Sequence, residues 1–167
     1  MTMKTLTIPN GILIPEIGKL LKMGHTATLR VKGVSMRPFL EDGRDKVLLK
    51  PVKGDSLKNG DVVLAETEKN VYVLHRIYRI EGDKLVLRGD GNVSGKEYCS
   101  KDDVIAVVEA FYRKCRNRAD SVGGWKWRVY SFLWPSSPFA RRVFLALYRR
   151  VWLKIMPYSQ QAELSNC

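Results

Sequence analysis

Between Ala27 and Arg113 the chain is a succession of short runs rich in β-branched residues, with turn residues between them and little room for a helix. The runs are ATLRVKG (27–33), KVLLK (46–50), DVVLAE (61–66), VYVLHRIYRI (71–80), KLVLRG (84–89) and DVIAVVEAFYR (103–113). Gly, Asp, Asn and Pro bound them, as they bound strands generally. Glu81-Gly82-Asp83 separates two runs closely enough to predict a hairpin of 71–80 with 84–89. Short strands without crossover helices must pair antiparallel. The expectation is therefore a mainly β domain over residues 26–115.

On the N-terminal side, residues 1–25 read as a loose leader, to about residue 10, followed by a short helix. Ile12–Met23 carries Leu13, Ile17, Leu20 and Leu21 at helical spacing. Pro15 suits its first turn and Gly24 its stop. This stretch is too short for a helix-turn-helix DNA-binding domain. It also lacks the continuous apolar core of a secretory signal.

The charge is concentrated at the other end. The whole chain carries a formal charge of +12. Phe111–Met156 holds eleven Lys and Arg against the single acid Asp120, so the rest of the chain is nearly balanced. Residues 116–167 read as a basic, aromatic extension. Gly123-Gly124 is a hinge, 125–134 is aromatic and basic, Pro135–Pro138 is a break, and 139–156 is a helix with Phe139, Val143, Leu147 and Val151 one turn apart. Such a segment suits an anionic membrane surface, with Trp125, Trp127, Arg141, Arg142, Arg149 and Arg150 as the expected contacts. A helix packed on the β-core with solvated charges explains the pattern equally well. Nucleic acid is the less favoured polyanion.

Cysteine usage bounds the chemistry further. Cys99, Cys115 and Cys167 are odd in number and show no CxxC or Cys/His spacing. Neither a disulfide framework nor a metal site is expected, and no cofactor. With no run near 18 consecutive apolar residues, no membrane span is expected either. The compartment read from this is cytoplasmic, and the membrane-surface reading of the basic segment would make the chain peripheral at the inner face of the membrane.

Three segments carry candidate chemistry. Val31-Lys-Gly-Val-Ser-Met-Arg-Pro38 places Ser35 after a strand. A serine hydroxyl needs a neighbouring base and nearby N–H donors to act as a nucleophile. Gly33 removes side-chain bulk beside it and Pro38 fixes the turn. By itself, such a segment is usually just a turn. His75 sits in the most apolar run, and alternation gives it one face with Val71, Val73 and Ile77. It is a core histidine or, if Ser35 is near, a general base. Asp90, in Arg88-Gly-Asp-Gly-Asn92, either closes a turn or orients His75.

In order, Gly33-x-Ser35-Met36-x-Pro38, Gly60-Asp61-Val62-Val63, His75-Arg76 and Gly89-Asp90-x-Asn92 resemble the S24/S26 serine peptidase superfamily, which holds type I signal peptidases and self-cleaving SOS repressors. The resemblance spans roughly residues 27–110, and His-Arg is similar to the subgroup with a Ser–His pair. It implies a coiled core of antiparallel sheets and an extended peptide or protein substrate lying as an added strand, with small residues next to the scissile bond. It implies catalytic Ser35, His75 and Asp90, with Gly33, Met36 and Pro38 as oxyanion or substrate neighbours. Where signal peptidases carry a serine two positions before the nucleophile, this chain has Gly33, which leaves the oxyanion to backbone N–H groups, that of Ser35 first. The acids after Asn92 are Glu97, Asp102 and Asp103, and Asp102 and Asp103 are the alternative partners for His75. The function expected is a serine endopeptidase of peptide processing or maturation. The alternatives are a self-cleaving regulator and an inactive peptide-binding module; the oligomeric state is open.

Overall fold

In the computed structural model, which describes residues 8–53 and 55–155, the β-rich runs form strands in chain order. Helix α1 is Asn10–Lys22. The strands are β1 Ala27–Arg30, β2 Lys46–Lys50, β3 Val62–Glu68, β4 Val71–Glu81, β5 Lys84–Arg88, β6 Glu97–Ser100, β7 Val104–Tyr112 and β8 Asp120–Ser121. Helices α2 (Trp125–Leu133) and α3 (Pro138–Ile155) follow. The leader up to residue 7 and residues 156–167, Cys167 among them, lie outside the described residues.

All strand pairs are antiparallel, in the order β1-β2-β7-β3-β4-β5-β6 with β8 added to β7. The sheet is open. The β4–β5 hairpin forms as expected, with Glu81 opposite Lys84 across a two-residue turn. Strand β5 covers only the Arg76–Glu81 half of β4. On that side the Val71–His75 half has no paired strand among the described residues.

Alternation along β4 sorts its side chains between two hydrophobic clusters. Tyr72 and Leu74 pack against one with Met36, Leu40, Val47, Leu64 and Phe111. Val73 and Ile77 join the other with Val63, Leu85 and Leu87. Both faces of the central strands are thus covered, which is why those strands read as nearly continuous apolar runs.

The flanking helices belong to the same core. Ile14, Ile17 and Leu21 of α1 are buried in the first cluster, and so is Trp127 of α2. Helix α1 begins two residues before the expected Ile12, so Pro15 lies inside it rather than in its first turn. Its end is a Schellman turn: Gly24 N–H donates to Leu21 O and His25 N–H to Leu20 O. Strands β6 and β8 and helix α2 were not expected from the sequence.

Candidate active site

The turn that carries Ser35 is held from below by apolar anchors. Met36, Phe39 and Leu40 are buried. The Phe39 ring packs edge-on against Phe111 at 5.1 Å and Trp127 at 4.7 Å, and tilted against Tyr130 at 4.6 Å. Each such pair contributes about 0.5–1.5 kcal/mol beyond its buried area. Behind the turn, the buried Asp45 carboxylate accepts from the N–H groups of Glu41 (2.9 Å) and Lys114 (2.9 Å) and from Arg44. Ser35 itself remains half-buried at the surface.

The expected neighbours of Ser35 have other tasks. Met36 is 1% exposed, a core anchor with no face left for a substrate. Gly33 holds φ +91°, a conformation that strains other residues, and its N–H donates to Asp42 at 2.7 Å. It shapes the turn and is not a spare oxyanion donor. Pro38 follows a cis peptide bond in the turn. The Ser35 N–H makes no hydrogen bond among the described residues.

His75 is opposite Val63 on β3 and only 4% exposed. Its Nδ1 lies 2.8 Å from Glu97 Oε2 at the start of β6. With Nδ1–H donating to that carboxylate, the lone pair resides on Nε2. Burial pushes the imidazole below its ordinary pKa of 6.5, against the opposing pull of Glu97 and, more weakly, Asp90. Burial thus favours the neutral ring, the state a general base needs.

Two glycines bring the serine and the histidine together. A Cβ added to Gly89 would lie 2.5 Å from the Ser35 carbonyl oxygen and 3.0 Å from His75 Nε2. Both groups therefore crowd one point above the Gly89 backbone. A Cβ on Gly91 would collide with the Val34 carbonyl, and the Gly91 N–H donates to Ser35 O at 2.7 Å. No hydrogen bond joins Ser35 Oγ to His75 among the described residues. Such bonds commonly close only when substrate binds.

The expected partner of His75 proves to be elsewhere. Asp90 is fully buried, but its carboxylate is taken by Arg76 (3.0 and 2.7 Å) and by the Tyr130 hydroxyl (2.9 Å). The contact belongs instead to Glu97, because pairing of β5 with β6 puts Leu87 opposite Glu97 and returns the chain to His75. Asp102 and Asp103 lie in the turn before β7. Asp103 caps Ser100 at 2.7 Å, which lowers its pKa, and both acids are exposed and away from His75.

The C-terminal helices brace this centre. Arg76 also donates to Ser131 Oγ (2.8 Å) and stacks 4.3 Å over the Trp127 ring. Arg141 donates to the carbonyls of Pro135, Gly89 and Asn92 at 2.7, 3.1 and 3.2 Å. Arg88 donates to Ser136 O at 3.3 Å and to Val93 O. Trp127 is 6% exposed and Arg141 5% exposed, which corrects their expected role at a membrane surface: an aromatic core and three carbonyls occupy them. Trp125, Arg142, Arg149 and Arg150 are exposed.

A groove of about 410 Å³ is lined by Leu13 and Ile17 of α1, by Leu29 and Val31, and by Tyr72 and Leu74 of β4. Among the described residues no group of three or more His, Cys, Asp or Glu is placed to hold a metal ion. No described helix is long and apolar enough to cross a membrane.

A family model described as Peptidase S24-like matches residues 4–109, more than half of the chain. The chain belongs to the Peptidase S24-like family. Its eight-stranded antiparallel sheet agrees with the fold expected of this family. Comparison with curated proteins and with solved structures found no match. In this S24-like chain the bracing residues Tyr130, Ser131 and Arg141 lie beyond the matched segment.

Proposed function

We propose that this chain is a serine endopeptidase in which Ser35 is the nucleophile, His75 the general base and Glu97 the residue that positions His75. The observation carrying this reading is the orientation of a buried imidazole. Its Nδ1 is tied to a carboxylate and its Nε2 is turned to the point above Gly89 that the Ser35 carbonyl also crowds.

The groove suggests how substrate arrives. Among the described residues β1 has a free edge, and the Val71–His75 half of β4 has another. An extended peptide lying between them would gain main-chain hydrogen bonds, with its scissile carbonyl delivered to Ser35. His75 Nε2 takes the Ser35 proton as Oγ attacks the carbonyl carbon, and the Ser35 N–H receives the developing oxyanion. His75 then gives that proton to the leaving amine as the C–N bond breaks. Water, deprotonated by the same nitrogen, hydrolyses the acyl ester and restores Ser35. Glu97 stays ionised and steadies the imidazolium formed in between. The biological role we assign is peptide processing or maturation.

Ser35→Ala and His75→Ala are each expected to abolish cleavage in a peptide-library digest while circular dichroism stays unchanged. Normal turnover by either variant would end this reading. The missing Ser35–His75 hydrogen bond favours a second reading, a peptide-binding module without turnover. A fluorophosphonate that labels wild type but not Ser35→Ala excludes it.

A further inference from the structure

We propose that the outward faces of α2 and α3 form an interfacial anchor for an anionic lipid bilayer. The inference does not depend on the peptidase chemistry. Both helices divide into sectors at 100° per residue. On α2, Trp127, Tyr130 and Ser131 face the protein, while Trp125, Val129, Phe132 and Leu133 face outward. On α3, Arg141 and Leu145 are buried and Tyr148 bonds Glu41, whereas Phe139, Val143, Phe144, Leu147 and Val151 are exposed. Phe132 is 89% exposed, Phe139 77% and Leu133 68%. Side chains of this size standing this far out exceed the scattered apolar residues of an ordinary surface.

The charge beside these faces selects the occupant. No Asp or Glu occurs from Trp125 to Met156. Arg128 borders the apolar sector of α2, Arg142 and Arg149 border that of α3, and Arg150 falls within it between Phe139 and Val143, all of them exposed. A lipid surface with negative headgroups satisfies both features at once: hydrocarbon takes the apolar sector and headgroups take the guanidinium groups. A second copy of the chain would set cation against cation. Nucleic acid would stack on rings but gain little from Val129, Leu133, Val143, Leu147 and Val151.

The test pellets the full chain with sucrose-loaded vesicles of phosphatidylcholine alone, and of phosphatidylcholine mixed with phosphatidylserine. Pelleting is expected with the mixed vesicles and should fall as salt rises. Phe132→Ser with Leu133→Ser, and separately Arg142→Gln with Arg149→Gln, should each weaken it roughly tenfold or more, because binding scales with buried apolar area plus headgroup attraction. Circular dichroism should be unchanged, since all four positions are exposed. Equal pelleting with neutral and mixed vesicles, no pelleting with either, or unweakened variants would overturn the anchor. So would a lipid-free dimer in the ultracentrifuge that Phe132→Ser dissolves, since the face would then belong to a second copy. Ser35→Ala should bind vesicles like wild type, so failure of the peptidase reading stays separate.

Discussion

Gly89→Ala probes the closeness of the serine and the histidine without touching either side chain. The added methyl would stand 2.5 Å from the Ser35 carbonyl oxygen, 3.0 Å from His75 Nε2 and 3.1 Å from Asn92 Nδ2. Ordinary contact needs at least 3.4 Å. The serine segment and the 89–92 loop must therefore separate by about 1 Å, a misplacement that costs on the order of 100-fold in rate. Forcing a methyl into a packed site costs a further ~1–3 kcal/mol of stability. We expect kcat/KM on a processed peptide, or the rate of fluorophosphonate labelling, to fall by about two orders of magnitude, with the urea midpoint lowered in step. Gly95→Ala is the control from the same loop. There the new Cβ meets nothing nearer than 3.8 Å, and both readouts should match wild type. If Gly89→Ala labels within a few-fold of wild type while Gly95→Ala also does, the convergence of Ser35 and His75 on Gly89 is wrong.

Two further variants test the groups around that point. Glu97→Gln removes the charge that raises the His75 pKa against burial, so the imidazole should stay neutral to lower pH. The acid limb of the kcat/KM profile should move down in pH while the maximum falls on the order of 100-fold. A limb that moves up would contradict the assignment of Glu97. Arg141→Met takes the arginine donor from the carbonyls of Pro135 and Asn92, at about 1–3 kcal/mol for each one left buried and unpaired, while the Gly89 carbonyl keeps the Asn92 N–H. Urea denaturation should report that loss, and an unchanged midpoint would show that Arg141 braces nothing.

How much of this the sequence discloses depends on whether the signal is local. The two-faced β4 and its hairpin are written in alternation and turn residues, and the stop of α1 in Gly24. Strand β6 is four residues, Glu-Tyr-Cys-Ser, with little apolar pattern. It exists because the edge of β5 offers it a partner. The choice of Glu97 over Asp90 follows from that pairing, and proximity in the motif misleads. Helix α2 did carry a signal: Trp127, Tyr130 and Trp134 are spaced by three and four, the positions that stack on one another and on Phe39. Reading the segment by its composition as basic and aromatic hid that spacing. Composition likewise could not tell the buried Trp127 and Arg141 from the exposed Trp125 and Arg142. In the Gly89-Asp90-Gly91 segment attention falls on the acid, while the close approach is made by its two neighbours, which leave room for it.

Arg141, set fifty-two residues along the chain from the Gly89 carbonyl it grips, gives the helices a say in the candidate site. Exchanges at Tyr130, Ser131 or Arg141 would reach Ser35 through the loop that backs it, although none of the three approaches a substrate. A graft that carried only the family-matched strands to a new host would leave this scaffolding behind, and its Asp90 would arrive holding one cation with nothing to close the other side.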